Sequence, residues 1–150
     1  MSACYDKAVQ LLAARPHFRA ELAGKLAQRG FPPEEVDEAL DRLTGQGYLD
    51  ELRTARDFVA HRQERGGEGR FRLEAELKRR GAPNEAIEAV LAEMVPEDDL
   101  PAAREAAQRW AAQRSRRDDP GALARHLERK GYSRRAIFAV LKERHDLDLE

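Results

Sequence analysis

Reduced to its apolar positions, the chain repeats one pattern three times. Leu22, Leu26, Val36 and Leu40 recur as Leu73, Leu77, Ile87 and Leu91, and again as Leu123, Leu127, Ile137 and Leu141. The residues of each pair are four apart, which puts both on one helix face. A glycine separates the pairs every time: Gly30 in "LAQRGFPPEEVDEAL", Gly81 in "LKRRGAPNEAIEAVL" and Gly131 in "LERKGYSRRAIFAVL". A pattern that returns about every 50 residues is an internal repeat, and it governs everything else in the reading.

Each copy predicts three helices. The first helix is the most variable, with apolar faces at Tyr5, Ala8, Val9 and Leu12, at Leu52, Ala55, Phe58 and Val59 behind a capping Asp50, and at Leu100, Ala103, Ala107 and Trp110. Stripes of this period usually face a core. No stretch sustains the period-two alternation of a strand. The expected fold is therefore all-α: three tandem three-helix repeats, helix-turn-helix-like, at 1–50, 51–99 and 100–150. One such unit buries little surface alone, so stacking into an elongated, curved array with a continuous core is expected. The glycine-rich "RGGEGR" at 65–70 breaks the middle copy and reads as a helix–helix connector.

The ends of the helices carry their own signals. A glycine costs least in the left-handed position that closes a helix. Basic residues precede each one: Arg29, then Arg79 and Arg80, then Arg129 and Lys130. They suit the negative end of a helix dipole. Pro32 and Pro33, Pro83 and Asn84, and Ser133 then start the third helix of each copy. Glu34, Glu35 and Glu85 favour the positive end of the dipole that follows. The third copy departs from this rule, because Arg134 and Arg135 stand there instead, opposing the dipole by about 0.3–1 kcal/mol each. Breaks of a local rule concentrate at functional sites.

Charge sharpens that point. Of 150 residues, 37% are charged and 6% aromatic, with a net charge of −1. The first two copies are acidic and the third carries about +4 by count of its side chains. A basic end on a near-neutral chain suits a polyanion or an acidic protein surface. The single Cys4 allows no intrachain disulfide, and no run approaches the ~20 apolar residues of a membrane span. With no basic-then-apolar leader pattern at the start, a cytoplasmic protein is expected.

Chemistry finds no centre. "GGEGR" lacks the Lys-Ser/Thr ending of a phosphate loop. His17, His61, His126 and His145 are scattered without ligand spacing, and one cysteine builds no zinc site. Ser2, Ser115 and Ser133 sit in no GxSxG. The acidic pairs Asp98–Asp99 and Asp118–Asp119 fall in turns and are expected to be solvated. No catalytic residue, metal or cofactor is therefore assigned. A base-reading helix-turn-helix would present Arg, Asn or Gln from its last helix. Copy one presents Glu34, Glu35, Asp37, Glu38 and Asp41 there, and copy two Glu85 and Glu88. Only copy three, with Arg134, Arg135, Lys142 and Arg144, could face phosphate.

Taken in order, several stretches resemble the RecX regulators of the bacterial recombinase RecA, over nearly the whole chain. "LLAAR" followed by "ELAGKL" is similar to the opening of that family. "GYLDE" at 47–51 with "ARDFV" at 55–59 resembles its most recognisable stretch. Gly69, Leu73, Glu76, Leu77 and Gly81 fit its middle motif, and "LERKGYSRRAIFAVL" its closing one. Phe18 stands where the family commonly has a serine that would cap the second helix. The resemblance implies tandem three-helix repeats that lodge in the groove of the RecA filament on DNA. They restrain its ATP hydrolysis and strand exchange, and so limit recombination and the SOS response.

The leading expectation is thus a non-enzymatic, monomeric RecA modulator that touches single- or double-stranded DNA weakly. Its expected contacts are Arg114, Arg116, Arg117, Arg125, Arg129, Lys130, Arg134 and Arg135. The competing expectation is a nonspecific nucleic-acid-binding protein independent of RecA, marked by a steep loss of affinity with salt. A third is a helical scaffold for another protein.

Overall fold

The computed structural model describes residues 2–113 and 119–149. These residues form nine helices and no strand: α1 (Ala3–Ala14), α2 (Arg19–Gln28), α3 (Pro33–Gly45), α4 (Glu51–Glu64), α5 (Arg70–Arg79), α6 (Asn84–Met94), α7 (Leu100–Gln113), α8 (Pro120–Arg129) and α9 (Arg134–Asp148). The repeated leucines set the pattern of burial. Leu22, Leu26, Leu40, Leu73, Leu77 and Leu127 are fully buried, and Leu123, Val36, Ile87, Ile137 and Leu91 nearly so. Leu141 is half-buried at the edge of its cluster.

The three glycine turns are built alike. Gly30, Gly81 and Gly131 have φ of 90°, 92° and 92°. In each copy the residue after the glycine donates its N–H to the carbonyl of the second buried leucine: Phe31 to Leu26 (3.3 Å), Ala82 to Leu77 (3.0 Å) and Tyr132 to Leu127 (3.2 Å). This bond closes the helix and turns the chain into the next one.

The chain divides into two compact units, Met1–Phe58 with Leu77–Ala89, and Val59–Glu76 with Val90–Glu150. The borders fall inside α4, α5 and α6. In the first unit, Cys4 and Ala8 of α1 pack on Leu22, Leu26, Val36, Ala39, Leu40, Leu43 and Leu49. Val9, read from the sequence as part of the inner stripe, is instead 40% exposed. The inward line of α1 runs through Cys4 and Ala8, one helical turn apart, and Val9 lies a further 100° round the helix. The second unit centres on Ala103, Ala106, Ala107 and Trp110 of α7, Leu123 and Leu127 of α8, Tyr132, and Ala136, Ile137 and Val140 of α9.

Phe18 does not prevent α2 from starting at Arg19. Its ring is fully buried, and its backbone N–H donates to Glu21 Oε1 at 2.9 Å. That is the glutamate half of a capping box, and it serves without a hydroxyl partner. Glu51 Oε1 accepts the next amide, Arg19 N–H, at 2.9 Å. Asp50 caps α4 by accepting from Arg53 N–H at 3.0 Å.

Candidate basic surface of the third repeat

The expected contact residues fall on two helix ends. Arg125 and Arg129 lie four apart on α8 and are exposed, and Lys130 follows at its C-cap, half-buried. Arg134 and Arg135 are exposed in the first turn of α9. Arg114, Arg116 and Arg117 lie outside the described residues.

Helix α9 begins at an arginine pair because its terminus is neutralised from elsewhere. Ser133 caps it, with Oγ accepting from Ala136 N–H at 3.1 Å. Asp99 then reaches in from the residue before α7. Its carboxylate accepts Ser133 N–H at 2.7 Å and Ser133 Oγ–H at 2.8 Å. A negative charge on the first amides satisfies the dipole that Arg134 and Arg135 oppose. Asp99 is therefore half-buried and hydrogen-bonded rather than solvated as the turn suggested. Asp119 likewise caps α8, accepting from Ala122 N–H at 3.0 Å.

The same network splits the arginine cluster. Arg135 lines a cavity of about 560 Å³ with Glu97, Asp98, Asp99, Leu100 and Ser133. Its surroundings are acidic, whereas Arg125 and Arg129 project from α8. Further along α9, Lys142, Arg144 and His145 line a groove of about 480 Å³ floored by Trp110, Leu123 and Leu141, with exposed Phe138 at its side. Sequence spacing put Lys142 and Arg144 on α9 but gave no sign of this groove.

The connector 65–69 anchors the end of α8. Gly69 N–H donates to Lys130 O at 2.7 Å, Phe71 N–H to Gly131 O at 3.2 Å, and Arg72 Nη1 to Arg129 O at 3.1 Å. A Cβ on Gly69 would overlap the Gly131 carbonyl, and one on Gly131 would overlap Arg72. Arg109 Nη2 donates to Gly66 O at 2.5 Å. Glu68 is held by Arg62 at 2.7 Å, with Arg72 at 3.5 Å. "RGGEGR" is the connector expected, and its last glycine exists for this close approach. The carbonyls at the end of α8 are thereby occupied, and the side chains of Arg129 and Lys130 are fixed at their root.

Among the described residues no three His, Cys, Asp or Glu side chains group as metal ligands, and no helix is long and apolar enough to cross a membrane. His17, scattered in the sequence, is buried in the first unit. Its Nδ1 lies 2.8 Å from Arg15 O and its Nε2 2.7 Å from Lys25 Nζ. A carbonyl can only accept and an ammonium can only donate, so the ring is neutral with its proton on Nδ1. Burial holds its pKa below the ordinary histidine value; the Arg15 carbonyl opposes this, and the charges of Arg15 and Lys25 add to it.

This is an all-α protein of three-helix repeats with a basic last repeat. Family models described as "RecX, first three-helix domain" and "RecX, second three-helix domain" match residues 4–43 and 50–91. "Regulatory protein RecX" of Mycobacterium sp. (strain KMS) is 40% identical over 144 residues, spanning 89% of this chain and 76% of that one. That of Trichlorobacter lovleyi is 38% identical over 136 residues, spanning 87% and 88%. The crystal structure of RecX from Lactobacillus salivarius superposes with a TM-score of 0.78 at 19% identity, covering 98% of this chain and 96% of that one. The chain belongs to the RecX family, whose Mycobacterium and Trichlorobacter members are named regulatory proteins.

Proposed function

We propose that the chain is a non-enzymatic modulator of the recombinase RecA. It binds the RecA filament on DNA and mainly inhibits ATP hydrolysis and strand exchange, which limits recombination and the SOS response. The observation that carries this reading is family membership across most of the chain. The third repeat supplies the polar contact in this reading: Arg125, Arg129, Lys130 and Arg134, with Arg114, Arg116 and Arg117 beside them in sequence. Arg135 belongs to the set and also lines the cavity that the acidic residues 97–99 share next to the α9 terminus. The reading includes a monomer in the cytoplasm that touches single- or double-stranded DNA weakly.

The test is single-stranded-DNA-dependent ATP hydrolysis by the cognate RecA, with this protein titrated in. Suppression well below one molecule per RecA protomer supports filament binding. No effect from folded, helical protein at saturation overturns the reading. The site is tested by Arg129→Glu with Arg134→Glu. Full inhibition by that variant removes both residues from the contact surface.

A further inference from the structure

The groove beside α9 has a filled counterpart in the first repeat. Aligned on Gly30 and Gly131, its lining residues Pro120, Leu123, Leu141, Lys142 and His145 correspond to Arg19, Leu22, Leu40, Asp41 and Thr44. In the first repeat the chain itself takes that place. Helix α3 ends at Gly45, Gly47 turns the backbone at a φ of 80°, and the N–H groups of Tyr48 and Leu49 both donate to Leu43 O, at 3.0 and 3.2 Å. Leu49 is thereby folded onto Leu22, Leu40 and Leu43 and is buried. Glu51 follows it beside Arg19 and Thr44 and accepts Arg19 N–H at 2.9 Å.

The third repeat keeps the floor and omits this cover. Asp148 stands where the first repeat has Gly47, and α9 runs straight on to it. Leu141, the counterpart of fully buried Leu40, is left half-buried under a groove of about 480 Å³. Phe138, 67% exposed at its side, replaces the acids Asp37 and Glu88 of the other repeats. A solvated helix surface gains nothing from a phenylalanine above a leucine-floored groove, and such patches mark binding sites.

The polar rim has changed as well. Pro120 has no N–H to offer a carboxylate, unlike Arg19, and Lys142 stands in place of Asp41. Lys142 and Arg144 both line the groove. Of the two acids there, Asp119 is tied to Ala122 N–H at 3.0 Å, which leaves Asp148 as the opposing charge. We infer that this groove docks a segment of a partner protein built like residues 49–51 of this chain. An aliphatic side chain fills the apolar floor, and carboxylates one or two residues further on meet Lys142 and Arg144. The site uses none of the arginines assigned to the proposed function and does not rest on it, because the protein alone should show it.

Trp110 is the only tryptophan of the chain and lines the groove, so its emission reports on the site directly. The experiment titrates a peptide of residues 47–51, GYLDE with both ends blocked, into the intact chain at low salt and without recombinase, exciting tryptophan alone. The emission should change and saturate. The Leu49→Ala peptide should bind about 10- to 100-fold more weakly, the usual worth of one buried leucine. The peptide with Asp50→Asn and Glu51→Gln should bind about 2- to 5-fold more weakly, as expected for exposed ion pairs. In the chain, Phe138→Ala and Lys142→Glu should each weaken the unaltered peptide by about 3- to 10-fold. Circular dichroism should be unchanged for both, because these side chains are exposed. No saturable change at millimolar peptide overturns the inference. So does equal binding by the Leu49→Ala peptide or by the peptide without carboxylates. A dimer of the chain, seen by sedimentation and broken by Phe138→Ala, would give the groove to a second copy and overturn it too. A chain that binds the peptide as expected but leaves RecA untouched would sink the proposed function and keep this site, and the converse result would sink only the site.

Discussion

Arg80 grips Glu21 at two points, Nε to Oε2 at 3.2 Å and Nη2 to Oε1 at 3.0 Å. The guanidinium lies between two rings, 5.4 Å from the centre of Phe18 and 5.3 Å from that of Phe58. Glu21 spends its second role on the Phe18 amide. One contact thus fixes the start of α2, the end of α5 and an aromatic pair. On the same turn, a Cβ on Gly81 would come within 2.7 Å of Ala20 Cβ. The second unit has its own version, in which the turn at Gly131 receives Gly69 and Arg72.

Arg80→Met keeps much of the stem between the rings but leaves Glu21 without its main partner. It should lower stability by about 1–3 kcal/mol, less than a fully buried pair because both side chains keep some solvent. Urea denaturation gives the number. Acid should act on the same contact. Burial tends to raise the Glu21 pKa, but the bonds from Arg80 and the Phe18 amide, with the charges of Arg80 and Arg15, outweigh it and hold the carboxyl low. The unfolded chain then takes up this proton first, near pH ~4.3. The contribution is complete above that pH and fades as pH falls through the lower folded value. In Glu21→Gln this part of the acid sensitivity should vanish.

His17 predicts a second loss at higher pH. It is neutral in the folded chain and its pKa is depressed, chiefly by burial. The unfolded histidine protonates near pH ~6.5, so below that pH the unfolded state binds more protons and stability drops. Denaturation midpoints measured from pH 7.5 to 5.5 should fall for the wild-type chain. They should fall less for His17→Gln, although that variant starts lower. Equal slopes would place the titration elsewhere.

Asp99→Asn should destabilise the second unit by about 1–2 kcal/mol, since it removes the charge that offsets Arg134 and Arg135 and weakens two bonds to Ser133. Replacing both arginines with alanine in the Asp99→Asn chain should recover part of that loss. Arg135→Glu should be worse than Arg135→Ala, because it adds a fourth carboxylate beside Glu97, Asp98 and Asp99. Thermal denaturation of the five chains decides this.

The glycine turns should separate backbone strain from close packing. Gly30→Ala meets open space, so it should cost only the strain of a positive φ, about 1–2 kcal/mol. Gly131→Ala carries the same strain and also drives a Cβ into the backbone of Arg72, so it should cost clearly more. Comparable losses in urea denaturation would mean that the α5–α8 contact yields easily.

The sequence alone determined what is local. Leucines four apart specify a buried helix face, and a glycine followed by a helix-starting residue specifies a closed turn. Both signals depend on neighbours within a helical turn or two, so the helices and the turns between them could be read directly. The resemblance to RecX rested on the same local motifs. Tertiary structure decided which of the remaining polar residues matter to one another. Glu21 and Arg80 are 59 positions apart, and Asp99 and Ser133 are 34 apart. No periodicity links them, because a hydrogen bond between helices depends on how the helices pack and not on spacing along the chain. For that reason a charge count could find the basic third repeat, yet only packing showed that Asp99 underlies its arginine pair.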